Sequence, residues 1–97
     1  MAKGYWVTQY KEIRDADKMA AYAKLAGPVV AEYGGVFITR GVATKAYEAG
    51  LVERTTVIEF SSVDAAIACH DSDGYQAALK ALDGGVTRDM RVVEGVE

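Results

Sequence analysis

The chain has 97 residues, 51% of them hydrophobic, one cysteine (Cys69) and a formal net charge of −3. That size and composition fit a single globular domain spanning 1–97, and the lone cysteine excludes an intrachain disulfide and suits a reducing cytoplasm. Charges of both signs are interspersed, no basic block grips a phosphate backbone, and no apolar run nears the roughly 20 residues of a membrane span, so the expectation is a cytoplasmic domain with no nucleic-acid or membrane partner.

Gly4 to Lys11, GYWVTQYK, is rich in aromatic and β-branched residues and reads as the first strand. Tyr5, Val7 and Gln9 fall on one face of it, and Trp6, Thr8 and Tyr10 on the other. Asp15 is placed to cap a helix, with Asp17 in its first turn. Apolar residues then recur at helical spacing at Ala16, Met19, Ala20, Ala23, Ala26, Val30 and Tyr33. Gly27-Pro28 interrupts that pattern and predicts a kink or break, with a short second piece to about Tyr33. Gly34-Gly35 stops the helix.

Val36 to Val42 is the second strand, with Val36, Ile38 and Arg40 on one face and Phe37 and Thr39 on the other. Ala43 to Val52 reads as a loop or an irregular extension of the strand around Gly50. Glu53 to Phe60, ERTTVIEF, is the third strand. Ser62 caps the helix VDAAIACH, and Ser72 caps a further piece, DGYQAALKAL. Gly84-Gly85 closes that region, and Asp89 to Glu94 is the fourth strand. The order β-α-β-β-α-β with right-handed crossovers predicts an α+β, ferredoxin-like domain: a four-stranded antiparallel sheet with its helices on one face.

Two helical layers cannot cover both faces of this sheet. The uncovered face should then alternate cleanly with polar residues. Tyr5 and Val7 opposed to Trp6 and Tyr10, and Val57 opposed to Ile58 and Phe60, do not. A second copy of the chain is the simplest cover, which predicts a homodimer through the sheet face.

MAKGYW, AEYGG, VIEFSS, DAAIACHDSDGYQAAL and RVVEGVE, in that order, resemble the DUF1330 family, and the resemblance runs through essentially the whole chain. It implies a dimeric α/β barrel built from two ferredoxin-like sheets, with an uncharacterised function. Wider relatives of that architecture include small monooxygenases and lactone isomerases, so the alternative it implies is a small enzyme acting on a small organic substrate. The chain departs from the family's look at His70, where tyrosine is commoner, and at Asp73-Gly74, which replaces a Pro-Glu helix start.

The candidates for chemistry are few. His70, the sole histidine, titrates near neutral pH and suits a general base, though a helix-end residue is the plainer reading. No second histidine or cysteine pair supplies metal-ligand spacing, so neither metal nor cofactor is expected. Arg40 and Glu59 both interrupt apolar strand faces. Arg40 suits anion binding, and Glu59 suits a base of raised pKa, the plainer reading being a cross-strand or intersubunit ion pair. Arg54, Arg88 and Arg91 read as solvated or interfacial charges. Tyr5, Trp6, Tyr10, Tyr22, Tyr33 and Tyr75 are candidates to line a cavity between sheet and helices. Tyr75 stands out among them as a ligand-binding or catalytic residue because it matches the family motif beside His70. The function expected is that of a homodimeric domain with a small-molecule site between sheet and helices.

Overall fold

The computed structural model describes residues 2–96, so Met1 and Glu97 of the expected domain lie outside the described residues. The elements are β1 (Gly4–Ile13), α1 (Ala16–Glu32), β2 (Val36–Val42), β3 (Arg54–Phe60), α2 (Val63–Asp71), α3 (Asp73–Leu82) and β4 (Val86–Glu94). The four strands form one antiparallel sheet in the order β2-β3-β1-β4. This is the ferredoxin-like arrangement, with the second helical segment split in two.

Capping residues set the helix boundaries. The Asp15 carboxylate accepts from the Lys18 amide at 3.0 Å, and the Ser62 hydroxyl from the Ala65 amide at 3.1 Å. Ser72 serves two helices at once. Its Oγ donates to the Cys69 carbonyl at 2.7 Å and accepts from the Tyr75 amide at 3.2 Å. Gly34 and Gly84 take φ of 77° and 72°, the left-handed stops that let the chain turn back toward the sheet.

Four expectations are corrected. α1 runs unbroken through Pro28. Pro28 is exposed, and solvent there can satisfy the carbonyl its missing N–H would have paired. The buried stripe of α1 is Tyr22, Ala26 and Val30, whereas Ala16, Ala20 and Ala23 are exposed. β1 and β4 are longer than their apolar cores suggest, because Glu12 and Ile13 pair with Thr87 and Val86 beyond an irregularity at Lys11. In β2 the register slips between Phe37 and Thr39, so that Phe37 pairs with Ile58 and Arg40 with Thr56. One extra residue in a strand reverses the side-chain alternation beyond it. Phe37 and Arg40 therefore share the helix-covered face, where strict alternation puts them on opposite faces.

The core lies between that face and the helices. Trp6, Ile58 and Phe60 from the sheet meet Tyr22, Ala26, Val30, Ala66, Cys69, Tyr75, Ala78 and Leu82. The Trp6 indole N–H donates to the Ala66 carbonyl at 2.9 Å, which lets a large ring be buried without stranding its polar atom. On the other face one row across the strands is Val36, Glu59, Tyr5 and Val93, and the next is Thr39, Val57, Val7 and Arg91. No helix covers these rows, and Val36 and Val93 remain 57% and 46% exposed.

Gly4 sits where the chain entering α2 crosses β1. A Cβ at Gly4 would lie 2.5 Å from the Ser62 carbonyl oxygen, a backbone atom with little freedom to move. Gly4→Ala should therefore cost roughly 1–3 kcal/mol of stability, read as a lowered urea midpoint at unchanged m-value.

Candidate functional site

α1 packs closely on α3 and stands back from the strands. Ala23, Ala26 and Gly27 are among the α1 residues that line the gap, and they are too small to fill it. A cleft of about 60 Å³ results, room for several waters or a compact organic group. Its floor is the helix-covered face of the sheet. Trp6, Thr8 and Tyr10 come from β1, Phe37 and Arg40 from β2, Arg54, Thr56 and Ile58 from β3, and Arg88 and Met90 from β4. Apolar walls with a few convergent polar groups are the usual make-up of a small-molecule site.

Three guanidinium groups reach this cleft, each over an aromatic ring. Arg40 lies 4.5 Å from the Phe37 ring centroid, Arg54 5.8 Å from that of Tyr10, and Arg88 4.9 Å from that of Tyr22. Arg88 is the most firmly held. Its Nη1 donates to the Tyr10 hydroxyl at 3.0 Å and the Tyr22 hydroxyl at 3.2 Å, and its Nη2 donates to the Tyr75 hydroxyl at 3.2 Å. Arg54 is half-buried, and its Nε has no hydrogen-bond partner. No Asp or Glu lines the cleft, and among the described residues none of the three arginines forms a salt bridge. Arginine stays charged at any physiological pH. The cleft thus concentrates positive charge in partly dry surroundings without a protein counter-ion, an arrangement that favours pairing with an anion.

The candidate residues separate. Arg40 lies in the cleft because of the β2 slip. Tyr75 is fully buried behind it, its hydroxyl 2.6 Å from that of Tyr22. Burial, reinforced by the neighbouring Tyr22 and opposed by Arg88, drives the Tyr75 phenol far above its ordinary value, so it stays neutral. Glu59 is on the opposite face of the sheet from Arg40, and the two are not paired. Its carboxylate accepts from Lys3 Nζ at 3.0 Å and from the Tyr5 hydroxyl at 3.1 Å. Those bonds, that of Lys3 first, hold its pKa below the usual carboxylate value. The raised pKa of the functional reading is therefore reversed, and Glu59 forms the kind of ion pair that the plainer reading gave it. His70, at the end of α2, places Nδ1 3.0 Å from the Asp71 carboxylate and lies edge-on to Trp6. It is not among the residues lining the cleft. Among the described residues, no group of three or more His, Cys, Asp or Glu is arranged to hold a metal ion.

Arg54 and Arg88 are corrections too, because both were expected to be solvated or interfacial. Their signal was the two-residue period. Arg54 shares parity with the buried Thr56, Ile58 and Phe60, and Arg88 with Met90. Of the six aromatic candidates, Trp6, Tyr10 and Tyr22 line the cleft, whereas Tyr5 lies on the far face of the sheet.

Comparison with known proteins places this geometry in a family. The sequence profile of DUF1330, a domain of unknown function, matches residues 3–96, and the chain belongs to that family. Among solved structures it is similar to a protein of unknown function from Rhodopseudomonas palustris, at 17% identity and a TM-score of 0.78, over 99% of this chain and 84% of that one. SnoaB, a cofactor-independent oxygenase from Streptomyces nogalater, superposes with a TM-score of 0.65 at 14% identity, covering 100% of this chain and 96% of its own. A dimeric protein of unknown function with a ferredoxin-like fold from Bacteroides fragilis does so with a TM-score of 0.59 at 13% identity, over 95% of each chain. No curated protein matches the sequence significantly.

Cys69 is fully buried, and burial raises its thiol from an ordinary 9.0 to about 11. A thiol raised in the folded state contributes stability that is intact below its unfolded pKa and is lost as pH climbs through the folded value. Stability should accordingly fall between pH 9 and 11 in the wild type, and less so in Cys69→Ala, as read from urea midpoints. At pH 8 a thiol-specific reagent should leave the native chain unmodified and label it fully in urea.

Proposed function

We propose that this domain binds a small organic molecule in the cleft between α1 and the sheet, as one half of a homodimer. The observation that carries the reading is the convergence of three guanidinium groups, those of Arg40, Arg54 and Arg88, on an open cleft whose lining holds no carboxylate. Charges set against apolar walls are stabilised when a counter-charge pairs them, and a small polar molecule in the cleft can do that. Arg40 and Arg54 are the residues that would touch it, and Tyr75 would hold Arg88 in place from behind.

The homodimer reading rests on the helix-free face, where Val36, Tyr5, Val57, Val7 and Val93 have no helix over them. The Bacteroides fragilis neighbour, described as dimeric, supports it by fold alone. No helix among the described residues is long and apolar enough to cross a membrane. A cytoplasmic location, which the single unpaired Cys69 suits, stays part of the proposal. The alternative, a small enzyme, draws on the likeness to SnoaB, again a likeness of fold. Glu59 and His70, its candidate bases, stand away from the cleft, so the binding reading is preferred.

Two measurements test these statements. A compound that occupies the cleft should raise the melting temperature in a concentration-dependent way, stabilising the fold by about 2.7 kcal/mol at a hundred times its Kd. Ala23→Phe, which fills the space from the exposed side of α1, should abolish the rise. A diverse small-molecule panel that never shifts the wild type, or shifts both chains equally, argues against the site. Light scattering at micromolar concentration should give twice the chain mass, and Val93→Lys should shift it toward the single chain. A wild-type monomer would overturn the dimer.

A further inference from the structure

We infer that the ligand of this cleft is a small carboxylate with a compact apolar body. The inference rests on the binding reading above and adds the chemical class. It follows from a count of donors and acceptors.

Arg88 gives N–H groups to all three phenol oxygens, so each hydroxyl is already an acceptor. Tyr75 is fully buried, and the Tyr22 oxygen at 2.6 Å is its one hydroxyl neighbour that can accept. The Tyr75 proton therefore goes to Tyr22. That leaves the protons of the Tyr22 and Tyr10 hydroxyls unspent, and both residues line the cleft. The Arg54 guanidinium also lines the cleft and adds further donors. Arg40 and Arg54 bring positive charge that no carboxylate of the lining offsets. Apart from the Thr8 and Thr56 hydroxyls, which can donate or accept, the unspent polar groups of the lining are donors. A neutral molecule with balanced donors and acceptors would leave several of them unsatisfied, whereas a carboxylate is acceptor-only, with about four lone-pair sites, and matches a guanidinium in two-pronged geometry.

The rest of the lining selects the body. Phe37, Ile58, Met19 and Met90 face the same space, and methionine adapts its shape to flat apolar groups. A bare inorganic anion would leave that surface wet. Nearby apolar walls also strengthen the charge interaction by lowering the local dielectric.

Trp6 is the only tryptophan and lines the cleft, so its fluorescence reports occupancy directly. The test titrates the full chain with sodium benzoate, its neutral isostere benzamide and inorganic phosphate, at fixed ionic strength. Benzoate should bind at least about tenfold more tightly than either of the others, as a charge-assisted pair is stronger than its neutral counterpart. Arg54→Gln and Arg40→Gln should each weaken benzoate severalfold and benzamide by much less. Arg40 is exposed, so its variant keeps the fold and serves as the control for structural damage. Benzamide binding as tightly as benzoate would overturn the carboxylate class while keeping the binding site. Phosphate binding more tightly than benzoate would overturn the apolar body. Failure of all three probes, in a protein whose melting temperature other compounds raise through the cleft, would overturn the carboxylate class. Failure in a protein that no compound stabilises would remove the binding site as well.

Discussion

The guanidinium of Arg88 ties the paired strands β1 and β4 to α1 and α3, the two helices that pack on each other above them. It issues from β4 and meets hydroxyls from β1, α1 and α3. Charge-assisted bonds in partly dry surroundings are directional, so these contacts fix where α1 and α3 ride over the sheet. The hydrophobic effect brings the helices to the sheet but has no preferred direction. The position of α1 at a distance, with small residues over the gap, is set by this polar clasp together with Trp6, whose ring is anchored to α2 through Ala66. The cleft follows from that geometry.

The two faces of the sheet then do different physical work. On the helix side, charge is uncompensated and sits among aromatic rings. On the other side, charge is compensated, with Glu59 held by Lys3 and Tyr5 and Asp89 held by Arg91 at 3.0 Å. Paired, half-exposed charges amid valines suit a surface that meets another polypeptide, because they can be covered without stranding an ion.

Much of this was readable before any coordinates. Element order, both helix stops and the caps at Asp15, Ser62 and Ser72 follow from local chemistry, which acts within a few residues. What was not readable involves one-residue events and distant partners. The slip at Ile38 changes which face Arg40 occupies, and no residue type there announces it. Pro28 looks like a break because its cost is judged for a helix in isolation, while a helix packed along one side tolerates it on the other. Arg54 and Arg88 look solvated because arginine usually is. Their burial depends on tyrosines up to 78 positions away in the chain. Glu59 shows the converse case. A carboxylate on an apolar strand face suggests a perturbed base, but Lys3, three-dimensionally adjacent and remote in sequence, stabilises its charge.

Ser72 has a consequence for how this chain can vary. One oxygen atom closes α2 and opens α3, so the two helices share a pivot with no slack between them. Inserting or deleting a single residue in either helix would swing everything beyond it by about 100° around the axis. Tyr75 lies three residues past the pivot, and its hydroxyl would leave Tyr22 and Arg88 together. The segment can therefore exchange side chains on its outer surface freely, but its length is locked to the cleft on the far side of Tyr75.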